Sequence, residues 1–184
     1  MKLSVHRIED RRYQTTVVRS DGLAVLLGGQ GFAHGLPRHL AHFAVEDALE
    51  LRHGLWGTLA AGALPPGARI AEGQQAPPGA IERGAAIVAA TAQLVGEARA
   101  LVAALDDIVD QRLEGRWPQV DPAFQRLSVH RGARLVLLTK TDVARVAATW
   151  RELQSRWDLV PVGGTLELDW KAPLVSGAWP AIKP

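Results

Sequence analysis

Strand-like alternation opens the chain. Leu3 and Val5 are flanked by polar residues, and 13–19 (YQTTVVR) is rich in β-branched side chains. Ser20-Asp21-Gly22 supplies turn chemistry before the apolar run 23–27 (LAVLL). The pattern predicts a three-stranded meander. Gly28, Gly29, Gly31 and Gly35 then predict a flexible connection. That stretch has neither the Lys-Ser/Thr of a P-loop nor the spacing of a dinucleotide-binding turn.

Helical spacing takes over at Pro37, a residue suited to a first helical turn. The pattern predicts a helix over 37–51 ended by Gly54, then a short apolar segment at 55–64 and a Pro/Gly-rich loop at 65–80. Ile87-Val88, Leu94-Val95, Leu101-Val102 and Ile108-Val109 recur every seven residues. They predict one long helix, about 81–114, with a wide apolar face. Such a face suits either the central helix of the protein's own core or the seam of a homodimer.

Beyond it, 126–130 and 134–138 read as strands joined by Arg131-Gly132-Ala133. Thr139 and Asp142 have capping-box spacing ahead of a helix with Val143, Val146, Ala147, Trp150, Leu153 and Trp157 along one side. A last strand is expected at 165–170 and an extended tail at 171–184. The fold class these elements define is α+β. A small, mostly antiparallel sheet from both ends of the chain packs on three or four helices, all within a single domain, 1–184.

Composition narrows the function. Hydrophobic residues make up 47% and charged residues 22% of the 184, as in a packed globular domain. The formal charge of +2 is too balanced for a nucleic-acid binder, whose cations gather on one stripe. The absence of cysteine excludes disulfides, thiolate metal sites and a cysteine nucleophile. The polar N-terminus has no signal-peptide pattern. The apolar stretch 84–105 carries Gln93, Glu97 and Arg99 and makes a poor bilayer span, so no membrane partner is expected and the cytosol is the expected compartment.

One helix carries candidate chemistry. At about 100° per residue, His39, His42, Glu46 and Glu50 share an arc of about 80°. Two imidazoles and a carboxylate suit a divalent transition metal such as zinc, manganese or iron. His39, His42 and Glu46 are the candidate ligands, with Asp47 or Glu50 as the base that works on metal-activated water. The same stripe is also what a solvated amphipathic face looks like, with His42 and Glu46 an ordinary i,i+4 pair. Asp47 falls on the predicted core face between Leu40 and Phe43, where a carboxyl needs a partner. Asp106, Asp107, Asp110 and Glu114 could add oxygen ligands if they fold back beside the histidines, and are otherwise a solvated acidic end. His130 reads as a sheet histidine. No G-x-S-x-G elbow supports serine catalysis.

The stretch Leu36-Pro37-x-x-Leu40-x-His42-Phe43-x-Val45-Glu46, with Gly54-Leu55-Trp56-Gly57, Leu59-Ala60-Ala61-Gly62 and Val162-Gly163-Gly164-Thr165-Leu166-x-Leu168, resembles an uncharacterised family of small bacterial proteins. These segments cover roughly a quarter of the chain. The resemblance implies a bacterial, cytosolic protein and carries no reaction. Relatives in that family have a His-Asp pair where this chain has Arg38-His39, which makes His39 the least secure ligand. Two expectations follow: a structural or interaction protein, self-associating through helix 81–114, or a metal-dependent, hydrolase-like enzyme built on helix 37–51.

Overall fold

A computed structural model describes residues 1–33, 35–113, 121–133 and 137–171. The opening meander forms as three antiparallel strands, β1 (Lys2–Glu9), β2 (Arg12–Val18) and β3 (Ala24–Gln30). Leu3, Val5, Tyr13, Thr15, Val17, Val25 and Leu27 point to one face and are buried there, as period-2 alternation requires. Ile8 is bulged, where the β1–β2 register shifts between Arg7 and Glu9. Gly28 and Gly29 extend β3 instead of forming a loop. Gly29 sits opposite Tyr13, whose ring fills the space a side chain would need. A two-stranded ladder, β4 (Phe32–Ala33) and β5 (Leu36–Pro37), then leads into the helices.

The helices are α1 (Arg38–Ala48), α2 (Leu55–Ala61), α3 (Ala80–Asp110), α4 (Pro122–Arg131) and α5 (Lys140–Asp158). The Pro/Gly-rich loop ahead of α3 contributes a two-residue strand, β6 (Arg69–Ile70), to the far side of β3. The closing strand β7 (Thr165–Asp169) pairs with β1, giving the antiparallel order β6-β3-β2-β1-β7. The fold is α+β, with one face of the sheet covered by helices. Trp56, Trp150, Trp157, Leu105 and Ile108 are among the fully buried side chains of the core.

The strand expected at 126–130 is corrected. Residues 122–131 are helical, not strand: Asp121 accepts from the Ala123 amide, Pro122 occupies the first turn, and Gly132 ends the helix in the left-handed region. Those are N-cap and C-cap signals that outweigh the strand-like look of 126–130, and they place His130 on a helix. The long helix is continuous over 31 residues, but its two halves differ. Leu101, Val102, Leu105, Ile108 and Val109 are core, whereas Ile81, Ala85, Ala86, Ala89, Ala90 and Ala92 are exposed. The capping box on α5 forms as expected, Thr139 and Asp142 bonding each other's amides. The segment 134–136, Glu114 and the tail beyond Lys171 lie outside the described residues.

Candidate functional site

α1 is not an amphipathic surface helix. The sheet, α2, α3 and α5 all contact it, and Leu40, Ala41, Phe43, Ala44, Val45, Glu46 and Ala48 are buried. Its polar residues therefore end in separate environments, determined by which neighbour each one meets.

Glu46, expected on a solvated stripe, has zero exposure. Its carboxylate accepts from the backbone amides of Leu55 (2.7 Å) and Trp56 (2.9 Å) and pairs with His42 Nδ1 at 3.1 Å. The first two donors are the opening amides of α2, whose N-cap position is Gly54 and offers no side-chain oxygen. A Cβ at Gly54 would lie 2.1 Å from the Glu46 carboxyl carbon, so the glycine makes room for that carboxylate. Glu46 thus caps a helix to which it does not belong.

His39 is also enclosed. Its Nδ1 lies 2.8 Å from Oγ1 of Thr15, a fully buried residue of β2, and its ring meets Tyr13 and Trp56 edge-on at 5.0 and 5.9 Å between centroids. The Tyr13 hydroxyl accepts from the His39 backbone amide. Burial, reinforced by the positive potential of His42, lowers the His39 pKa from 6.5 to about 4. The ring is therefore neutral at pH 7.

Both histidines line one cleft of about 770 Å³. Tyr13, Leu27, Gly28 and Gly29 come to it from the sheet, Arg38, His39 and His42 from α1, and Ala63, Pro65 and Pro66 from the loop after α2. α3 contributes Val88, Thr91, Val95, Gly96, Arg99 and Asp106. Asp106, from the acidic cluster, lines the same cleft as the histidines. Arg38 and Arg99 form no ion pair with any described residue. The cleft thus combines apolar walls with a few polar groups, the usual constitution of a small-molecule site.

Asp47 is not in the core. It is exposed and lines a second groove of about 630 Å³ together with Lys2, Phe43, Arg156, Glu167 and Lys171. Phe43, one turn earlier on the same side of α1, packs against Trp170, but at Asp47 that cover ends. Desolvation in the groove raises the Asp47 pKa; Lys171 opposes this and Glu50 adds to it. Glu50 lies past the end of α1, exposed, at a left-handed φ of 53°.

The predicted site is therefore divided. His39 and His42 share a cleft, Glu46 stands behind His42, Asp47 faces a different groove and Glu50 faces neither. Among the described residues no group of three or more histidine, aspartate or glutamate side chains is arranged to hold a metal ion. Glu46 already spends its oxygens on two amides and an imidazole, so the set does not fit a divalent ion. Sequence reasoning missed Thr15, Tyr13 and Arg99. Thr15 had a signal, a polar residue in phase with inward-facing Tyr13 and Val17. Arg99 had none, because its place in the cleft depends on where α3 crosses. Comparison with protein-family models, characterised proteins and solved structures finds no match for this chain.

Proposed function

We propose that the protein binds a small organic molecule with an apolar body and an anionic group in the cleft between α1, α3 and β3. The observation that carries this reading is the presence of Arg38 and Arg99, both without an ion-pair partner among the described residues, with His39 and His42 in the lining of a cavity walled by Leu27, Val88 and Val95. The cavity's size suits a drug-sized ligand. Guanidinium groups are the side chains best matched to carboxylate and phosphate. The test is an amide NMR titration with phenylphosphate and phenylacetate. Shifts confined to the neighbourhood of Gly28, Gly29, Thr91 and Gly96 support the reading. An Arg38→Ala/Arg99→Ala variant should weaken binding by about tenfold or more. If neither probe moves any cleft amide at millimolar concentration, the reading fails.

A second reading concerns α3. One 18-residue window of this helix has a mean hydropathy of 1.4, yet only 17% of it is buried. By length and composition α3 could cross a membrane, but Leu105 and Ile108 in its C-terminal half have zero exposure within the core. We infer that the exposed N-terminal half pairs with a second copy of the chain, an interaction role that requires no chemistry. Leu101 is buried, so Leu101→Glu would disrupt the fold itself. Ala89→Glu, on the exposed side, is the informative variant. Sedimentation should show a dimer for the parent chain and a folded monomer for Ala89→Glu. A parent that is monomeric at 100 μM (a concentration on the order of a weak interface) overturns the inference, and vesicle binding by that monomer would assign the face to lipid.

A further inference from the structure

We propose that the cleft is catalytic as well as binding, with His42 the general base that activates water against a small carboxylic ester bearing an anionic group. This rests on the reading that the cleft takes an anionic ligand. Its own support is the arrangement behind His42. Nδ1 of that ring is tied to Glu46 at 3.1 Å, and the carboxylate is itself immobilised by two backbone amides and has zero exposure. The other ring nitrogen, Nε2, bonds to no described residue and is not sealed from solvent, and the residue lines the cleft. A buried acceptor on Nδ1 keeps the ring hydrogen there and leaves a lone pair on Nε2. That is the tautomer a base needs. An ordinary i,i+4 surface pair would not have its carboxylate buried and held from a second element.

The neighbouring groups fit the same chemistry. His39 holds its Nδ1 against the Thr15 hydroxyl, and a hydroxyl donating there places the ring hydrogen on Nε2. A neutral imidazole N–H can donate to a carbonyl oxygen as charge develops on it. The low pKa of His39 agrees with that neutral role. Among the described residues neither ring pairs with a serine hydroxyl, and the nucleophile in this proposal is water. The step is balanced without a co-reactant. The water oxygen bonds to the ester carbon while one water proton passes to His42 Nε2. The tetrahedral intermediate then expels the alcohol oxygen, which takes that proton from His42. The products are a carboxylic acid and an alcohol. Glu46 touches no substrate and is a positioning residue. Arg38, Arg99 and Asp106 are the other charged groups that line the cleft.

The probe is 4-acetoxybenzoate, an ester that carries its own carboxylate. The full-length chain should hydrolyse it with saturation and a solvent isotope effect on kcat of about 2, a sign of proton transfer in the rate-limiting step. His42→Ala should lower kcat by about a hundredfold or more with KM little changed. His42→Gln keeps a donor for Glu46 Oε1 and so holds the fold, and it should lose kcat to the same extent. Glu46→Gln should lower kcat by less than the His42 variants and leave KM unaltered. Equal hydrolysis by the parent and both His42 variants, with cleft amides shifting on addition of the probe, overturns the catalytic inference and leaves the binding reading intact. Absence of both shifts and hydrolysis overturns the binding reading, and the catalytic one with it.

Discussion

Replacement of Glu46 is the most direct measure of how α1 and α2 are joined. In Glu46→Ala the Leu55 and Trp56 amides lose their acceptor at a position where Trp56 has zero exposure. A buried donor left without a partner costs about 1–3 kcal/mol. Two such donors, with the small void left by the side chain, put the loss at about 3–5 kcal/mol, a large part of the roughly 5–15 kcal/mol that stabilises a domain. Gly54→Ala attacks the same contact from the other side, because its methyl would lie 2.1 Å from the carboxyl carbon. The two changes are therefore coupled. Once residue 46 is alanine, the methyl at 54 has room, and the double variant should be more stable than the sum of the two losses by at least about 1 kcal/mol. Urea unfolding followed by tryptophan fluorescence measures all four chains, since Trp56 is at the contact. A loss below 1 kcal/mol for Glu46→Ala, or strict additivity in the cycle, would refute the account of Glu46 as the cap of α2.

Other outcomes follow from single contacts. His39 is neutral in the folded chain down to about pH 4 but takes up a proton near 6.5 when unfolded. The unfolded state thus binds more protons in that window, and stability should fall as pH is lowered from about 6.5 to about 4, by up to about 3 kcal/mol; stability that stays flat across this range in pH-dependent urea titrations would contradict the burial of the ring. Gly29→Ala places a methyl 2.2 Å from the Tyr13 ring, and the displaced tyrosine should cost about 2–4 kcal/mol by the same unfolding assay. Thr139→Ala removes one half of the capping box on α5 and should lower the melting temperature by an amount equivalent to about 1 kcal/mol, with no effect on the cleft amides.

The sequence made the elements easier to read than their environments. Period-2 alternation in the first thirty residues and the heptad of α3 are local properties, and both the meander and the long helix formed where those patterns lie. The capping residues of α4 were present in the sequence, but reading 126–130 as a strand passed over Asp121-Pro122 and Gly132. The candidate site was read on the assumption that α1 has one dry and one wet side. That assumption fails because the start of α2 covers Glu46, a packing decided by residues eight to ten positions away. Glu46 and Asp47 exchanged places as a result: the carboxylate expected in water is sealed, and the one expected in the core faces a groove. The local clue was Gly54, a helix start with no capping side chain of its own, which needs an acceptor from elsewhere.

The Thr15–His39 pair separates what the fold needs from what the cleft needs. A hydroxyl on the inward face of β2 and an imidazole held neutral against its preferred protonation below pH 6.5 are costly choices for a core position. Removing one partner leaves the other unpaired in a dry setting, so Thr15→Val alone should cost about 1–2 kcal/mol. Replacing both with apolar groups of similar shape removes the penalty on each side. Thr15→Val/His39→Leu should be at least as stable as the parent at pH 7, and its stability should no longer decline between pH 6.5 and 4. A pair retained for packing would give the opposite result, a double variant more than about 2 kcal/mol less stable than the parent. Equal or greater stability would mean that the fold gains nothing from the pair. The ring's value would then lie in the nitrogen it presents to the cleft, and the same variant should lose affinity for the aryl anions while keeping its fold.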